Sequence, residues 1–251
     1  MQRSLVGSEM CIRDRIKMLG IIGAMDVEVA AIKAKVCDEA ETVIAGITFV
    51  CGYIENVMVT VAQCSPGKVN AAICAQIMID NFKADKIINI GVGCSLNSDV
   101  IVKNVVIASD VCEYDIDITA LGEPRGFING LNVIKIKTDD ELSEALSRCA
   151  ISCGEKIHRG TIASGDTFIA DNELKTFLSK QFDAVCGEME GGAIGHTCAC
   201  NGVPFAVLRS ISDGGDEQAQ MDYPTFKAVA AKISTGIILE YIKTQNDQIE
   251  L

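Results

Sequence analysis

Four acidic residues stand where an apolar segment ends or a helix begins: Glu28, Asp166, Glu190 and Asp213. A carboxylate at such a position is often only a helix cap, because backbone N–H groups and the helix dipole stabilise its charge. That interpretation fits each residue taken alone. Together the four also permit acid–base chemistry, since carboxyl groups in different environments can serve as proton donor and proton acceptor. Cleavage of a glycosidic bond uses such a pair.

The elements that must position these carboxylates are apolar strands that alternate with helices. Strands are predicted over Leu19–Ala24, Val43–Ile47, Phe49–Ile54, Val57–Gln63, Lys86–Gly93, Ile157–Ser164 and Val203–Asp213, and helices over Ala71–Phe82, Asp139–Ile151 and Tyr223–Thr244. Strands that are apolar on both faces are typical of a sheet covered by helices. The pattern predicts a single α/β domain with a central mixed, mostly parallel twisted sheet flanked by helices. In such sheets ligands bind at the carboxyl ends of strands.

Composition limits the classes of partner and site. The chain has 251 residues, of which 49% are hydrophobic, and a net charge of −12. An acidic surface repels phosphate backbones and anionic lipids, which argues against a nucleic-acid or membrane partner. The 12 cysteines contain no CxxC pair, so we predict no metal site and buried thiols in a reducing, cytoplasmic compartment.

The first 17 residues do not fit the pattern that follows. They are basic but lack the apolar stretch and cleavage site of a signal peptide. We expect residues 1–17 to be a non-native or mis-called leader, with Met18 the true start and residues 18–251 the functional domain.

Seven segments occur in an order that resembles one family. They are GIIGAMDVEV (20–29), GKVNAA (67–72), IINIG (87–91), DIDITALG (115–122), SGDTFI (164–169), GEMEGGAI (187–194) and VPFAVLRSISD (203–213). Together they resemble the 5′-methylthioadenosine/S-adenosylhomocysteine nucleosidases of the nucleoside phosphorylase superfamily. The resemblance extends from Met18 to about Thr244. It implies a nucleoside phosphorylase-like fold and hydrolysis of an adenine nucleoside in methionine salvage, with water as co-substrate and no metal or organic cofactor.

The resemblance also implies roles for the residues that handle protons and the sugar. Glu28 matches the residue that activates the attacking water, and Asp213 matches the general acid that protonates purine N7. Ser212 would orient Asp213. Glu190 matches the acceptor of the ribose hydroxyls. Arg209 matches a residue near the water and the catalytic glutamate, although a structural ion pair would also explain it.

Apolar residues of the same motifs match the walls of the substrate pocket. Phe168 matches the residue that stacks on adenine, and the backbone of Ile169 matches the group that reads the base edge. Met189 matches the apolar surface under the sugar, and Tyr223 stands where the family places an aromatic residue over the 5′ substituent. Each could instead be ordinary core or surface.

The resemblance further implies a homodimer in which residues near the 5′ group come from across the interface. Met25 and the segment 121–126 are the candidates here. Two-fold symmetric dimers are the commonest assemblies of soluble proteins.

Two positions depart from the family. Val92 stands where a serine often helps to hold the water, and Tyr114 stands where a histidine often precedes the DxD motif. Both departures leave the rate and the preferred 5′ substituent open.

Three alternatives remain at this stage. A purine nucleoside phosphorylase would need a phosphate site, but Asn89 and Ile90 stand where that branch commonly has an arginine. A binding protein without catalysis would not need both an acid and a base. A nucleosidase for another 5′-modified adenosine, including futalosine-like compounds, would use the same groups.

Overall fold

One ten-stranded sheet dominates the computed structural model of the chain, which describes residues 17–249. Its central strands are rich in isoleucine, valine and leucine, and β1 and β10 are buried at every position. Strands with this composition need cover on both faces. The strands are β1 (Met18–Gly23), β2 (Cys37–Ile44), β3 (Ile47–Ile54), β4 (Val57–Gln63), β5 (Lys86–Ser95), β6 (Val105–Glu113), β7 (Lys135–Lys137), β8 (Ile157–Ser164), β9 (Ala184–Glu188) and β10 (Phe205–Asp213).

Six helices supply that cover: α1 (Asp26–Lys33), α2 (Lys68–Phe82), α3 (Asp140–Ser152), α4 (Asn172–Phe182), α5 (Gly191–Asn201) and α6 (Ala219–Ile249). Residues of β1 alternate between two apolar clusters, as expected when successive side chains point to opposite faces. Met18 and Ile22 join the cluster that contains α2 and α5. Leu19 and Ile21 join the cluster that contains α1, α3 and α6.

Part of the sheet closes on itself. Strand β5 pairs with β9, β9 with β8, β8 with β6, β6 with β10, and β10 returns to β5. Strands β1, β4, β3 and β2 continue from β5 as an open extension. Among the described residues, five strand pairings are parallel and five are antiparallel. The predicted single α/β domain, with a mixed sheet flanked by helices, is confirmed, although half rather than most of the pairings are parallel because the β2–β4 meander and the contacts of β7, β9 and β10 add antiparallel ones.

The pairing of β10 with β5 is irregular at one point that matters for the site. Ile211 lies opposite Gly93 and Asp213 lies opposite Cys94, so Ser212 is an extra residue on β10. A bulge of this kind re-aims the side chains beside it. Here it lies immediately before a buried carboxylate.

The strand predicted over Val43–Ile47 was placed wrongly. Strand β2 covers Cys37–Ile44, and the chain reverses at Ala45 and Gly46, which have φ angles of 51° and 77°. Strand β2 forms the exposed edge of the sheet, so its polar residues hide the apolar alternation on which the prediction relied.

Residues 1–16 and 250–251 lie outside the described part, and the predicted leader therefore stays a prediction. Within residues 17–249, none of the helices combines the length and the apolar character that crossing a bilayer requires.

The cap of α3 allows a test of the fold. Asp139 accepts a hydrogen bond from the backbone N–H of Leu142 at 2.8 Å. We expect Asp139→Ala to lower the free energy of unfolding by about 1 kcal/mol, because a helix donor loses its partner. Urea denaturation measures this. Asp140→Ala is the matched control, since Asp140 is exposed at the next position. An equal loss in both variants would show that the cap contributes nothing.

Candidate active site

A single cleft collects most of the residues predicted to do chemistry. Its wall is built from the segment after β1, from β5, and from the ends of β9 and β10. Nine of the ten predicted site residues line it: Met25, Glu28, Phe168, Ile169, Met189, Glu190, Ser212, Asp213 and Tyr223. Arg209 is the exception, and it lies behind the wall.

Glu28 is held by the start of its own helix and by β5. One carboxylate oxygen accepts the backbone N–H groups of Ala24 and Met25 at 2.7 and 2.8 Å, and the other accepts that of Val92 at 3.0 Å. Glu28 therefore caps α1, as the simpler interpretation proposes, and it also faces the cleft. Burial raises the pKa of Glu28, although the charge of Arg209 and the three N–H groups oppose that shift.

Glycine at position 91 makes room for this carboxylate. A Cβ atom on Gly91 would lie 2.7 Å from Oε1 of Glu28, closer than real contacts allow. The next residue, Val92, supplies a backbone donor to Glu28 while its side chain lines the cleft. The apolar side chain at this position therefore leaves the anchoring of Glu28 intact.

Asp213 ends β10 directly after the bulge and is 2% exposed. Its two oxygens accept hydrogen bonds from the Ser212 hydroxyl at 2.8 Å and from the Gly215 backbone N–H at 2.9 Å. Burial nevertheless raises the pKa of Asp213. A carboxyl group whose pKa is raised in this way holds its proton closer to neutral pH, which suits a proton donor.

Arg209 is 1% exposed and its guanidinium is held on several sides. It donates to the carboxylate of Glu188, to Oδ1 of Asn89 at 2.5 Å and to the Leu208 carbonyl at 3.0 Å. Glu190 lies 3.7 Å away. This is the geometry of a structural ion-pair network, and the role of Arg209 at the substrate stays a prediction.

Glu188 is a site residue that sequence reasoning missed. It ends β9, accepts the backbone N–H groups of Glu190 and Gly191 at 3.0 and 2.8 Å, and accepts the Ser164 hydroxyl as well as Arg209. It therefore fixes the start of α5 and, through it, Glu190. The signal in the sequence was its place at the end of an apolar strand, three residues before the start of α5.

Glu190 lies on the cleft side of this network. Its Oε1 accepts the backbone N–H of Gly67 at 3.0 Å. Burial, and secondly the charge of Glu188, raise the pKa of Glu190 to about 8. A carboxyl group with free lone pairs at the cleft wall can accept hydroxyl donors from a sugar.

Aromatic and sulfur-containing side chains form the apolar wall. The rings of Phe168 and Tyr223 meet edge to face with centroids 5.4 Å apart. The Tyr223 hydroxyl donates to the sulfur of Met25 at 3.0 Å. Phe168 is 43% exposed while Ile169 beneath it is buried. An exposed ring inside a concave apolar wall is suited to stacking on a flat ligand.

Two other residues singled out in the sequence lie away from the cleft wall. Asp166 accepts the backbone N–H of Lys68 at 2.8 Å and so caps α2. Tyr114 is buried against Gly165, beside the loop that carries Phe168. Over residues 17–249 there is no group of three His, Cys, Asp or Glu side chains that could hold a metal ion.

The ion-pair network predicts a large cost for removing its cation. We expect Arg209→Met to lower the free energy of unfolding by about 3–5 kcal/mol, because Glu188 and Glu190 would be left buried without their counter-charge. Urea denaturation at pH 7 measures the loss. Lys243→Met is the control, since Lys243 pairs with Glu240 on the surface and should cost less than about 1 kcal/mol. Similar losses in both variants would contradict the network.

Comparison with known proteins agrees with this geometry. Residues 18–243 match the Phosphorylase superfamily. The aminodeoxyfutalosine nucleosidase of Campylobacter jejuni is 33% identical over 88% of this chain and 96% of its own length. The 5′-methylthioadenosine/S-adenosylhomocysteine nucleosidase of an Exiguobacterium species is 34% identical over 90% and 97%.

A solved structure extends the likeness to three dimensions. The 5′-methylthioadenosine/S-adenosylhomocysteine nucleosidase of Helicobacter pylori, crystallised with an aminopyrrolopyrimidine–pyrrolidinol ligand, superposes with a TM-score of 0.87. It is 33% identical, and the match covers 91% of this chain and 99% of that one. These matches confirm the resemblance seen in the motifs and the enzyme class that it implied. The chain belongs to the phosphorylase superfamily, among its nucleosidases.

Proposed function

We propose that the chain hydrolyses the N-glycosidic bond of 5′-methylthioadenosine and S-adenosylhomocysteine, releasing adenine and the 5′-thioribose product. The observation that carries this proposal is that Glu28 and Asp213 line one cleft, each buried and each with a raised pKa. Two carboxyl groups that flank a glycosidic bond can divide the acid and base steps between them.

The proposed mechanism assigns a step to each buried group. Asp213, oriented by the Ser212 hydroxyl, donates its proton to purine N7, so that adenine leaves as a neutral base. The sugar passes through an oxocarbenium-like state that the carboxylates of the wall stabilise. Glu28 takes a proton from the attacking water. Within residues 17–249 its Oε1 accepts one backbone N–H, that of Val92, which leaves a lone pair for that water.

Binding of the nucleoside follows from the remaining wall. Glu190 accepts hydrogen bonds from the ribose hydroxyls, and Met189 lies under the sugar. Phe168 stacks on adenine, with the Ile169 backbone at the base edge. Met25 and Tyr223 contact the 5′ substituent, since their sulfur and hydroxyl meet at one end of the wall.

The charges of the wall support water rather than phosphate as the nucleophile. Glu28, Glu188, Glu190 and Asp213 line the cleft, and the lining found in the described part of the chain includes neither lysine nor arginine. Arg209 is already bound to Glu188 and Asn89. A phosphate dianion would meet carboxylates without the cations that phosphate sites use.

The similar proteins are named for nucleosides with different 5′ substituents, so the substituent that this chain prefers is a separate question. Proteins named for 5′-methylthioadenosine and for aminodeoxyfutalosine are similarly distant. We favour the thioethers because the residues proposed to contact the 5′ group, Met25 and Tyr223, offer an apolar surface with a soft sulfur. Another 5′-modified adenosine is the alternative substrate.

We further propose that the chain acts as a cytoplasmic homodimer that uses water and no cofactor. Leu121 is 81% exposed and Val69 is 69% exposed, so these apolar side chains are available for a symmetric contact. The eleven described cysteines are all free, which supports a reducing compartment.

Product analysis tests the reaction class. We expect adenine to appear with a free 5′-thioribose from both substrates, at the same rate with and without phosphate. Chromatography and mass spectrometry identify the sugar. A sugar 1-phosphate that forms only when phosphate is present would instead establish phosphorolysis.

The acid assignment is tested by Asp213→Asn. We expect kcat to fall at least roughly 100-fold, because the amide cannot donate the proton, while the nucleoside still binds. In the wild type, kcat/KM should decline as pH rises through the raised pKa of Asp213. Isothermal titration and initial rates separate binding from turnover.

Asp183→Asn is the matched control for this variant. Asp183 is exposed in the left-handed turn that ends α4, and asparagine tolerates that conformation. It should keep the native rate. Adenine release by Asp213→Asn at the rate of Asp183→Asn would refute the assignment.

A further inference from the structure

A lysine stands beside the end of the cleft proposed to hold the 5′ substituent. Tyr223 lines the cleft, and Lys227 follows one helical turn later on α6. The ammonium group of Lys227 lies 5.4 Å from the centre of the Tyr223 ring. This places a positive charge next to an aromatic wall residue rather than far out in solvent.

Lys227 has no acidic partner among the ion pairs found within residues 17–249. Two other lysines near the site do form ion pairs. Lys68 pairs with Glu113 and Asp115 at 3.0 and 2.6 Å. Lys175 donates to the Gly214 carbonyl at 2.6 Å. Lys227 is therefore the lysine of these three that can take an anion from a ligand.

The charge of the chain gives a reason for such a cation. The chain carries a net charge of −12, so a substrate with its own carboxylate is repelled on approach. A cation at the outer end offsets that repulsion for a carboxylate that stays outside the acidic part. An uncharged 5′ substituent gains nothing from it.

We propose that Lys227 binds a carboxylate at the far end of the 5′ substituent, and that the enzyme thereby favours nucleosides with a carboxylated 5′ substituent. The proposal rests on the proposed nucleosidase activity. S-adenosylhomocysteine belongs to this class, because its 5′ thioether carries an amino-acid carboxylate beyond a short aliphatic chain. Lys227 is in this view a specificity residue, remote from the bond that breaks.

Three substrates separate this role from simple packing of Lys227 on Tyr223. They are S-adenosylhomocysteine, its decarboxylated counterpart with the same thioether chain and terminal amine, and 5′-methylthioadenosine. The enzymes are the wild type, Lys227→Met, Lys227→Arg and the control Lys232→Met, which removes an exposed lysine from the same helix. Initial rates of adenine release give kcat and KM for each pair.

We expect Lys227→Met to lower kcat/KM for S-adenosylhomocysteine by about three- to fivefold, the size of a partly exposed ion pair. The loss should lie in KM. It should be absent for the other two substrates and for Lys232→Met, and Lys227→Arg should restore the native value. Added salt should reduce the wild-type preference for S-adenosylhomocysteine over its decarboxylated counterpart, because ions screen the pair.

Each contrary result has a distinct meaning. Equal losses on all three substrates would overturn the proposal, since Lys227 would then act by supporting Tyr223. No loss on S-adenosylhomocysteine would overturn it directly. Failure of the wild type to release adenine from any of the three would refute the proposed function instead.

Discussion

The site depends on holding several buried carboxylates in one wall, with the guanidinium of Arg209 behind it. Burying a charge is costly unless hydrogen bonds or a counter-charge replace the lost water. Here backbone N–H groups do most of that work: three for Glu28, two for Glu188, one for Glu190 and one for Asp213. Arg209 neutralises Glu188, whose side chain is 1% exposed.

This constraint explains why the carboxylates lie at the ends of strands and the starts of helices. Such positions expose N–H groups that have no partner within the helix. Ala24 and Met25, directly before α1, give their backbone N–H groups to Glu28, and the start of α5 gives its donors to Glu188. The closed part of the sheet brings β5, β9 and β10 into one wall, so the two helix starts and the bulge at Ser212 face the same space. Capping and chemistry are thus two uses of the same geometry.

The sequence was enough to predict the alternation of strands and helices, and the ordered motifs led to nine residues of the cleft wall. Their neighbours along the chain were harder to rank. Glu188 and Glu190 occupy one motif and both line the cleft, and only the approach of Arg209 shows that the first pairs directly with the guanidinium while the second lies 3.7 Å from it. Asp166 has the same local signature as Glu28, but the three-dimensional path of the chain leaves it as a cap of α2. The edge strand β2 escaped correct placement because exposure removes the alternation that marks buried strands.

Val92 shows how a departure from a family pattern can be absorbed by the backbone. Its side chain cannot donate to a water, yet its N–H anchors Glu28, and Gly91 leaves the space that this carboxylate fills. The orientation of the proposed base thus rests on main-chain atoms, which a change of side chain does not remove. Hydrolysis and phosphorolysis can occur on the same fold, because the fold alone does not fix function. The charged side chains that line the wall are all acidic, and the guanidinium of Arg209 behind it is bound to Asn89 and Glu188.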